Sequence, residues 1–298
     1  MAAATRLPPL RVDARLVHRL RFPVPASCSR HTREDALNTL DFARRKAARE
    51  PISMVTCYDF WSAEVLNRTD VDCLLVGDSL AMVVHGFDST VQATVEMMAL
   101  HAAAVRRGAP DKYIVGDMPF LSMRKGRGFA MDSVQALMQT GVNAIKVEGE
   151  AGQAELTAHI VESGVPVMGH LGLTPQSVQA FGGHKVQGRN EGQAGRILDS
   201  ARKLEAAGCF ALVLECVPRQ LARRITEELS IPTIGIGAGP DTDGQVLVLQ
   251  DMLGMNPDFK PRFLRHYADG RGLIRSAVDR FAEDTRSGAF PATAESYG

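Results

Sequence analysis

At 298 residues the chain has room for one large α/β domain or two small ones, and 45% hydrophobic with 23% charged residues is an ordinary globular composition. Basic and acidic residues balance at 34 each, so no net positive field favours nucleic acid, and no apolar run approaches the roughly 18 residues that span a bilayer. The five cysteines, Cys28, Cys57, Cys73, Cys209 and Cys216, form no CxxC pair and read as small core hydrophobes in a reducing compartment.

The charge balance hides an asymmetry. Residues 1–33 hold seven arginines, no lysine and one acid, Asp13, which leaves 27 bases and 33 acids in the rest of the chain, a net of −6. An arginine-rich, acid-poor stretch without a long apolar centre predicts a mitochondrial presequence; the plainer alternative is a disordered extension. The expected organisation is therefore a transit segment at 1–33 and a single catalytic domain over 34–298.

From Thr32 a helical pattern runs to the basic residues 44–49, an orientation that suits the helix dipole. Ile52 to Cys57 reads as a first strand ending in Tyr58-Asp59, with a helix over 61–68. Cys73-Leu74-Leu75-Val76 is a second strand, closed by Gly77-Asp78-Ser79. After a loop at 86–90, residues 91–107 predict a helix stopped by Gly108-Ala109-Pro110. Strand three, Tyr113 to Gly116, runs into Asp117, with a helix over 129–140 after a basic, Gly-rich turn. Strand four, Ala144 to Val147, runs into Glu148, with a helix over 151–163. Strand five, Val165 to Gly169, runs into His170.

Residues 171–192 form the longest irregular stretch. Gly182, Gly183, Lys185, Gly188 and Arg189 suggest a mobile, cationic lid, because loops of this length in compact domains are usually functional. A helix over 193–207 precedes strand six, Phe210 to Leu214, which runs into Glu215. A helix over 218–229 and a strand over 231–236 follow. Residues 245–249 fit an eighth strand or a helix. In the tail, 261–267 and 272–287 look helical. Seven or eight strands alternating with helices over roughly 250 residues fit a (β/α)8 barrel, with a doubly wound open sheet as the alternative.

Five apolar runs thus end on an ionisable residue, and a parallel sheet or barrel gathers such strand ends at one face. Lys146 and Glu148 lie two apart, so alternation puts both on one face, as an ion pair or as ligand-binding groups. Asp78, Asp117 and Glu148 are carboxylates on three successive strand ends, and convergence would need a cation; hard oxygen donors without a Cys/His cluster suit Mg2+. Helix capping is the competing use of such acids. Glu215 follows five apolar residues, surroundings expected to raise its pKa and suit a general base. His170 fits a ligand, an accessory acid/base or a hydrogen-bonded core residue. Gly235, Gly237 and Gly239 lie too late, and with the wrong spacing, for a dinucleotide fingerprint.

The blocks Val76-Gly77-Asp78-Ser79, Gly116-Asp117-Met118-Pro119-Phe120, Ile145-Lys146-Val147-Glu148-Gly149, Gly169-His170-Leu171-Gly172-Leu173-Thr174-Pro175-Gln176-Ser177, Lys185-Val186-Gln187-Gly188-Arg189 and Leu214-Glu215-Cys216-Val217-Pro218 appear in this order. With them the chain resembles the ketopantoate hydroxymethyltransferase family from about Pro51 to the tail near Pro291. The resemblance implies a (β/α)8 barrel that binds Mg2+ and forms 2-dehydropantoate from 3-methyl-2-oxobutanoate, with 5,10-methylenetetrahydrofolate as one-carbon donor and a Mg-stabilised enolate on the path. It implies Asp78 and Asp117 as metal ligands with Glu148 beside the metal, Asp78, Ser79, Asp117 and Lys146 as contacts to the 2-oxo acid, and Glu215 as proton acceptor. It also implies a homo-oligomer, decameric in known members.

Overall fold

The computed structural model describes residues 37–297, so the stretch 1–33 expected to be a presequence lies outside the described residues. Eight parallel strands close into a barrel in the order β1-β2-β3-β4-β5-β6-β7-β8, with β8 paired back to β1. They are β1 (Ile52–Thr56), β2 (Cys73–Val76), β3 (Tyr113–Asp117), β4 (Ala144–Glu148), β5 (Val167–Gly172), β6 (Ala211–Glu215), β7 (Thr233–Ile236) and β8 (Gly244–Leu247). This is a (β/α)8 TIM barrel, not the open sheet, and 244–247 resolve as strand rather than helix.

Helices α1 (Thr39–Ala48), α2 (Phe60–Asn67), α3 (Leu80–Val83), α4 (Val95–Gly108), α5 (Arg127–Met138), α6 (Ala154–Glu162), α7 (Val178–Phe181), α8 (Glu191–Ala206), α9 (Arg219–Glu228), α10 (Leu249–Met252) and α11 (Gly270–Ser287) complete the framework. The first helix begins later than its sequence pattern predicts. Asn38 caps it, accepting from the Leu40 N–H at 2.9 Å, while Asp41 accepts from the Asn38 N–H at 2.7 Å. Between β7 and β8 there is only the loop 237–243. Residues 261–269 are turn and extended chain, not the expected helix over 261–267: Phe263 and Tyr267 stay exposed, and so short a helix is not stable without a packed apolar face. The apolar residues Leu273, Ile274, Val278 and Phe281 of α11 are also exposed.

Alternation along the strands sorts the side chains into two layers. Ile114, Ile145, Val147, Leu212 and Leu214 point outward into the core shared with the helices. Tyr113, Val115, Ala144, Met168, Ala211 and Val213 point inward and fill the lower barrel. Phe42 of α1 closes that lower end, its ring 5.0 Å from those of both Tyr113 and Phe210. The next inward position up each of these strands is polar: Asp117 on β3, Lys146 and Glu148 on β4, His170 on β5 and Glu215 on β6. The period-2 geometry that packs the barrel floor therefore also delivers the ionisable groups to the C-terminal mouth. Cys57, Cys73 and Cys209 are buried free thiols, as small core residues should be.

Candidate active site

The register of β3, β4, β5 and β6 puts the strand-end groups side by side. Asp117 is level with Lys146, Glu148 with His170, and Gly172 with Glu215. Lys146 Nζ lies 2.9 Å from Asp117 Oδ1, 3.8 Å from Glu148 Oε1 and 3.2 Å from His170 Nδ1. His170 bridges two acids, with Nδ1 3.3 Å from Glu148 Oε1 and Nε2 3.3 Å from Glu215 Oε2. The latter is an ion-pair approach that is not aligned as a hydrogen bond. A proton on His170 sits beside the Lys146 ammonium, so it depends on carboxylates at both ring nitrogens.

Asp78 and Ser79 follow β2 in the turn before α3. The Asp78 N–H donates to Asp117 Oδ2 at 3.1 Å, which joins the ends of β2 and β3. The Asp78 carboxylate does not cap α3; it accepts from Gln176 Nε2 at 2.8 Å. The same amide donates to the Met118 carbonyl, and the Gln176 N–H donates to Glu148 Oε2 at 3.1 Å. Ser79 Oγ pairs with the buried Tyr58 hydroxyl at 2.8 Å. The structure thus joins Asp78, Asp117, Lys146, Glu148, His170 and Glu215 in one network and places Ser79 beside Asp78. Tyr58 and Gln176 are members that sequence reasoning left out; each stood at a strand end or inside a motif block, which was the available signal.

Charge and burial compete here. Burial, then the charges of Glu148 and Asp117, push the Asp78 carboxyl well above the usual carboxylate range. Burial also raises Asp117, against the opposing pull of Lys146. Burial acts on Glu148 in the same direction, but His170, Lys146 and the Gln176 N–H together hold it below the ordinary value. Lys146 is raised, since its three carboxylates outweigh burial. For His170, burial and Lys146 act downward, yet the Glu148 and Glu215 carboxylates at its two ring nitrogens bring it up to about 9.

Glu215 is set apart. Its side chain is 19% exposed, against 3% for His170 and 4% for Lys146. It faces His170 on one side and, on the other, a cavity whose lining includes Leu173, Val217, Ile236 and Phe263. It does not cap α9, whose N-cap is Pro218. Its backbone is held closely. The Leu173 N–H donates to the Glu215 carbonyl at 2.8 Å, and a Cβ on Gly172 (φ +96°) would fall 2.2 Å from that oxygen. Cys216 adopts φ +48°, a left-handed conformation that costs a non-glycine residue about 1–2 kcal/mol, and its carbonyl accepts from the Gln187 N–H at 2.9 Å. The cationic loop is thereby tied beside Glu215.

Two cavities adjoin the network. One of about 190 Å³ is lined by Met118, Arg124, Glu148 and Gln176. The other, about 1550 Å³, is lined by Glu215, Lys185, Cys216, Gly237 and Phe263 among others, and not by Asp78, Asp117 or Lys146. Size alone would misplace the centre; Glu215 is where the large cavity meets the buried network. Among the described residues no group of three or more His, Cys, Asp and Glu side chains is arranged to hold a metal ion. Asp117 and Glu148 face Lys146, while Asp78 and Glu148 share Gln176. What the donor set does offer is two buried carboxylates, Asp78 and Asp117, both raised chiefly by burial and further by the charge of Glu148, with Asp117 Oδ1 lacking an aligned hydrogen bond. Two such oxygen donors suit Mg2+, which keeps waters and substrate oxygens in its remaining positions. Among the described residues no helix is long and apolar enough to cross a membrane.

The sequence model of the ketopantoate hydroxymethyltransferase family matches residues 36–293. A 3-methyl-2-oxobutanoate hydroxymethyltransferase of Coxiella burnetii (strain CbuG_Q212) is 54% identical over 257 residues, 86% of this chain and 97% of the relative. Proteins of the same name from Bdellovibrio bacteriovorus and Francisella tularensis subsp. novicida are 53% and 51% identical, each covering 87% of this chain and 98% of the relative. Among solved structures, a putative phosphonomutase from Burkholderia cenocepacia J2315 aligns with TM-score 0.59 at 15% identity over 74% of this chain and 96% of that one. A 2,3-dimethylmalate lyase aligns with TM-score 0.55 at 15% identity over 87% and 91%; at such identity both show the barrel fold alone. The chain belongs to the ketopantoate hydroxymethyltransferase family and is an enzyme of that family.

Proposed function

We propose that this member of the family moves a hydroxymethyl group from 5,10-methylenetetrahydrofolate to 3-methyl-2-oxobutanoate, giving 2-dehydropantoate and tetrahydrofolate. The observation that carries the reading is the pairing of a buried carboxylate–lysine network with one partly exposed acid, Glu215, at the edge of a large cavity. In this reading the network holds the small, doubly oxygenated 2-oxo acid. Lys146 faces its carboxylate, and Ser79, oriented by Tyr58, donates to it. Asp78 and Asp117 would hold Mg2+, with Glu148 beside it. The metal, when bound, supplies Lewis-acid polarisation of the keto oxygen.

Glu215 takes the C3 proton. His170 at 3.3 Å holds the carboxylate in place for that task. The freed electron pair at C3 forms the new carbon–carbon bond to the methylene carbon. The two methylene C–N bonds of the folate break, water supplies the hydroxyl, and the folate nitrogens receive one proton from water and one from C3. The clustering of pKa values raised on Asp78 and Asp117 and lowered on Glu148 supports a functional rather than a purely structural role. A homo-oligomer is supported by the exposed apolar residues of α11, and mitochondrial targeting by the composition of residues 1–33.

The test is product formation by the full chain with 3-methyl-2-oxobutanoate and Mg2+. Dependence of 2-dehydropantoate on methylenetetrahydrofolate is the expected result. Folate-independent cleavage or rearrangement of a 2-oxo acid would favour a lyase or mutase on the same barrel.

A further inference from the structure

Gln176 stands outside the barrel, on the short turn Pro175–Ser177 that follows β5, yet it bonds to two of the acids at the barrel mouth. Its side-chain amide donates to Asp78 Oδ2 at 2.8 Å and to the Met118 carbonyl at 2.9 Å, and its backbone N–H donates to Glu148 Oε2 at 3.1 Å. Both side-chain partners are acceptors, so both amide hydrogens are committed. The amide cannot turn over without setting its own oxygen against two others. Pro175 opens the turn with its φ fixed by the ring, and the Ser177 N–H closes it on the Thr174 carbonyl at 2.8 Å. The fold thus holds this donor in place.

The two candidate metal acids are each bonded on one oxygen. Asp117 Oδ2 accepts from the Asp78 N–H at 3.1 Å, and Asp78 Oδ2 accepts from Gln176. Among the described residues Asp78 Oδ1 accepts no hydrogen bond, and Asp117 Oδ1 faces the Lys146 ammonium without alignment. Carboxylates that ligate a metal are themselves held by hydrogen bonds, which fix the oxygen presented to the ion. Asp117 has a backbone donor for this; Asp78 depends on a side chain, that of Gln176. Gln176 also belongs to a segment tied at both ends to the end of β6. The Leu173 N–H donates to the Glu215 carbonyl at 2.8 Å, and the Gln187 N–H to the Cys216 carbonyl at 2.9 Å. Asp78 and the base Glu215 are therefore joined through one loop.

We propose that Gln176 is a positioning residue of the cation site: its amide fixes the Asp78 carboxylate by Oδ2 and leaves Oδ1 for the ion, and cation occupancy in turn steadies the loop 173–187. Gln176 acts through Asp78 rather than on the ion. The assignment rests on the Mg2+ reading above and adds which residue outside the barrel sets the affinity of that site. Coupling of this kind is reciprocal: a loop that holds the ligand in place is itself held once the ligand is tied to the ion.

The experiment uses the full chain, native and with Gln176→Leu, Gln176→Asn or Asp117→Ala. Leucine fills the same space without a donor; asparagine keeps the amide but falls one methylene short. Mn2+, which takes oxygen donors as Mg2+ does, is titrated without substrate, and the free ion is counted by electron paramagnetic resonance. Amide hydrogen exchange over 173–187 is followed with and without Mn2+, and thermal unfolding is recorded in chelator. Both Gln176 variants bind Mn2+ about ten- to a hundredfold more weakly than the native chain. Mn2+ slows exchange over 173–187 in the native chain and not in Gln176→Leu. Turnover of Gln176→Leu recovers at saturating Mg2+, because the defect lies in affinity. A Mn2+ affinity within about twofold of native in both variants overturns the assignment even where the unfolding temperature falls, since that is the mark of a merely structural hydrogen bond. Tighter binding in Gln176→Leu also overturns it, because the amide would then be occupying the place of the ion. Either result leaves the metal reading intact so long as Asp117→Ala loses Mn2+. No binding by the native chain, or binding untouched by Asp117→Ala, overturns the metal reading and the assignment with it.

Discussion

Replacing His170 with glutamine isolates the charge at the centre of the network. Glutamine keeps a donor near Glu215 but cannot titrate. In the native chain the contacts to Glu148 and Glu215 raise His170 from 6.5 to about 9. A shift of that size is worth about 3 kcal/mol at roughly 1.4 kcal/mol per pKa unit. The folded pKa is the higher one, so this stability is fully present below pH 6.5 and drains away as the pH rises through 9. At pH 6, His170→Gln should therefore unfold about 3 kcal/mol more easily than the native chain, a drop of roughly 6–12 °C in Tm for a domain near this size. By pH 9.5 most of that gap should close. The assay is thermal unfolding of both proteins across pH 5.5 to 9.5, in chelator-treated buffer so that divalent ions do not add their own stabilisation. A gap that stays constant across the range, or widens with pH, would refute a charged His170 held between two carboxylates.

Other outcomes follow from the same geometry. Asp117→Ala should lower turnover at least about a hundredfold and erase its dependence on Mg2+; near-normal, Mg2+-dependent turnover would remove Asp117 from the metal site. Gly172→Ala should cost about 3 kcal/mol or more, because its Cβ meets the Glu215 carbonyl at 2.2 Å and its φ is +96°. Unfolding of that variant within 1 °C of the native Tm would contradict the close approach. A reporter fused after residues 1–33 should collect in mitochondria, and a cytosolic reporter would overturn that reading.

Much of this architecture was legible in the sequence because each strand carries two messages at once. Ile145 and Val147 are apolar and outward, Lys146 and Glu148 ionisable and inward, and a period of two is enough to predict both faces. Asp78 and Asp117 could be seen as strand-end acids for the same reason. What the sequence did not disclose depends on register between strands. That His170 is level with Glu148, and so bridges it to Glu215, follows from how β4, β5 and β6 pair, which no local pattern encodes. Glu215 was read from its apolar neighbours on β6, but Leu212 and Leu214 point outward, Ala211 and Val213 fill the barrel beneath it, and its own side chain meets His170 and a cavity. Gln176 sits in a loop whose path is set by Asp78 and Glu148, partners distant in sequence. The segment 261–267 has helix-like apolar spacing but no helix, since Phe263 and Tyr267 find no packed face to stabilise so short a one.

The most direct test of the account is exchange of the C3 proton of 3-methyl-2-oxobutanoate into deuterated water, followed by NMR for the native chain and Glu215→Gln with Mg2+ and no folate. The account predicts exchange by the native chain and a loss of about a hundredfold or more in Glu215→Gln. Exchange by the variant at the native rate would show that another group removes the proton, and would move the base away from the end of β6.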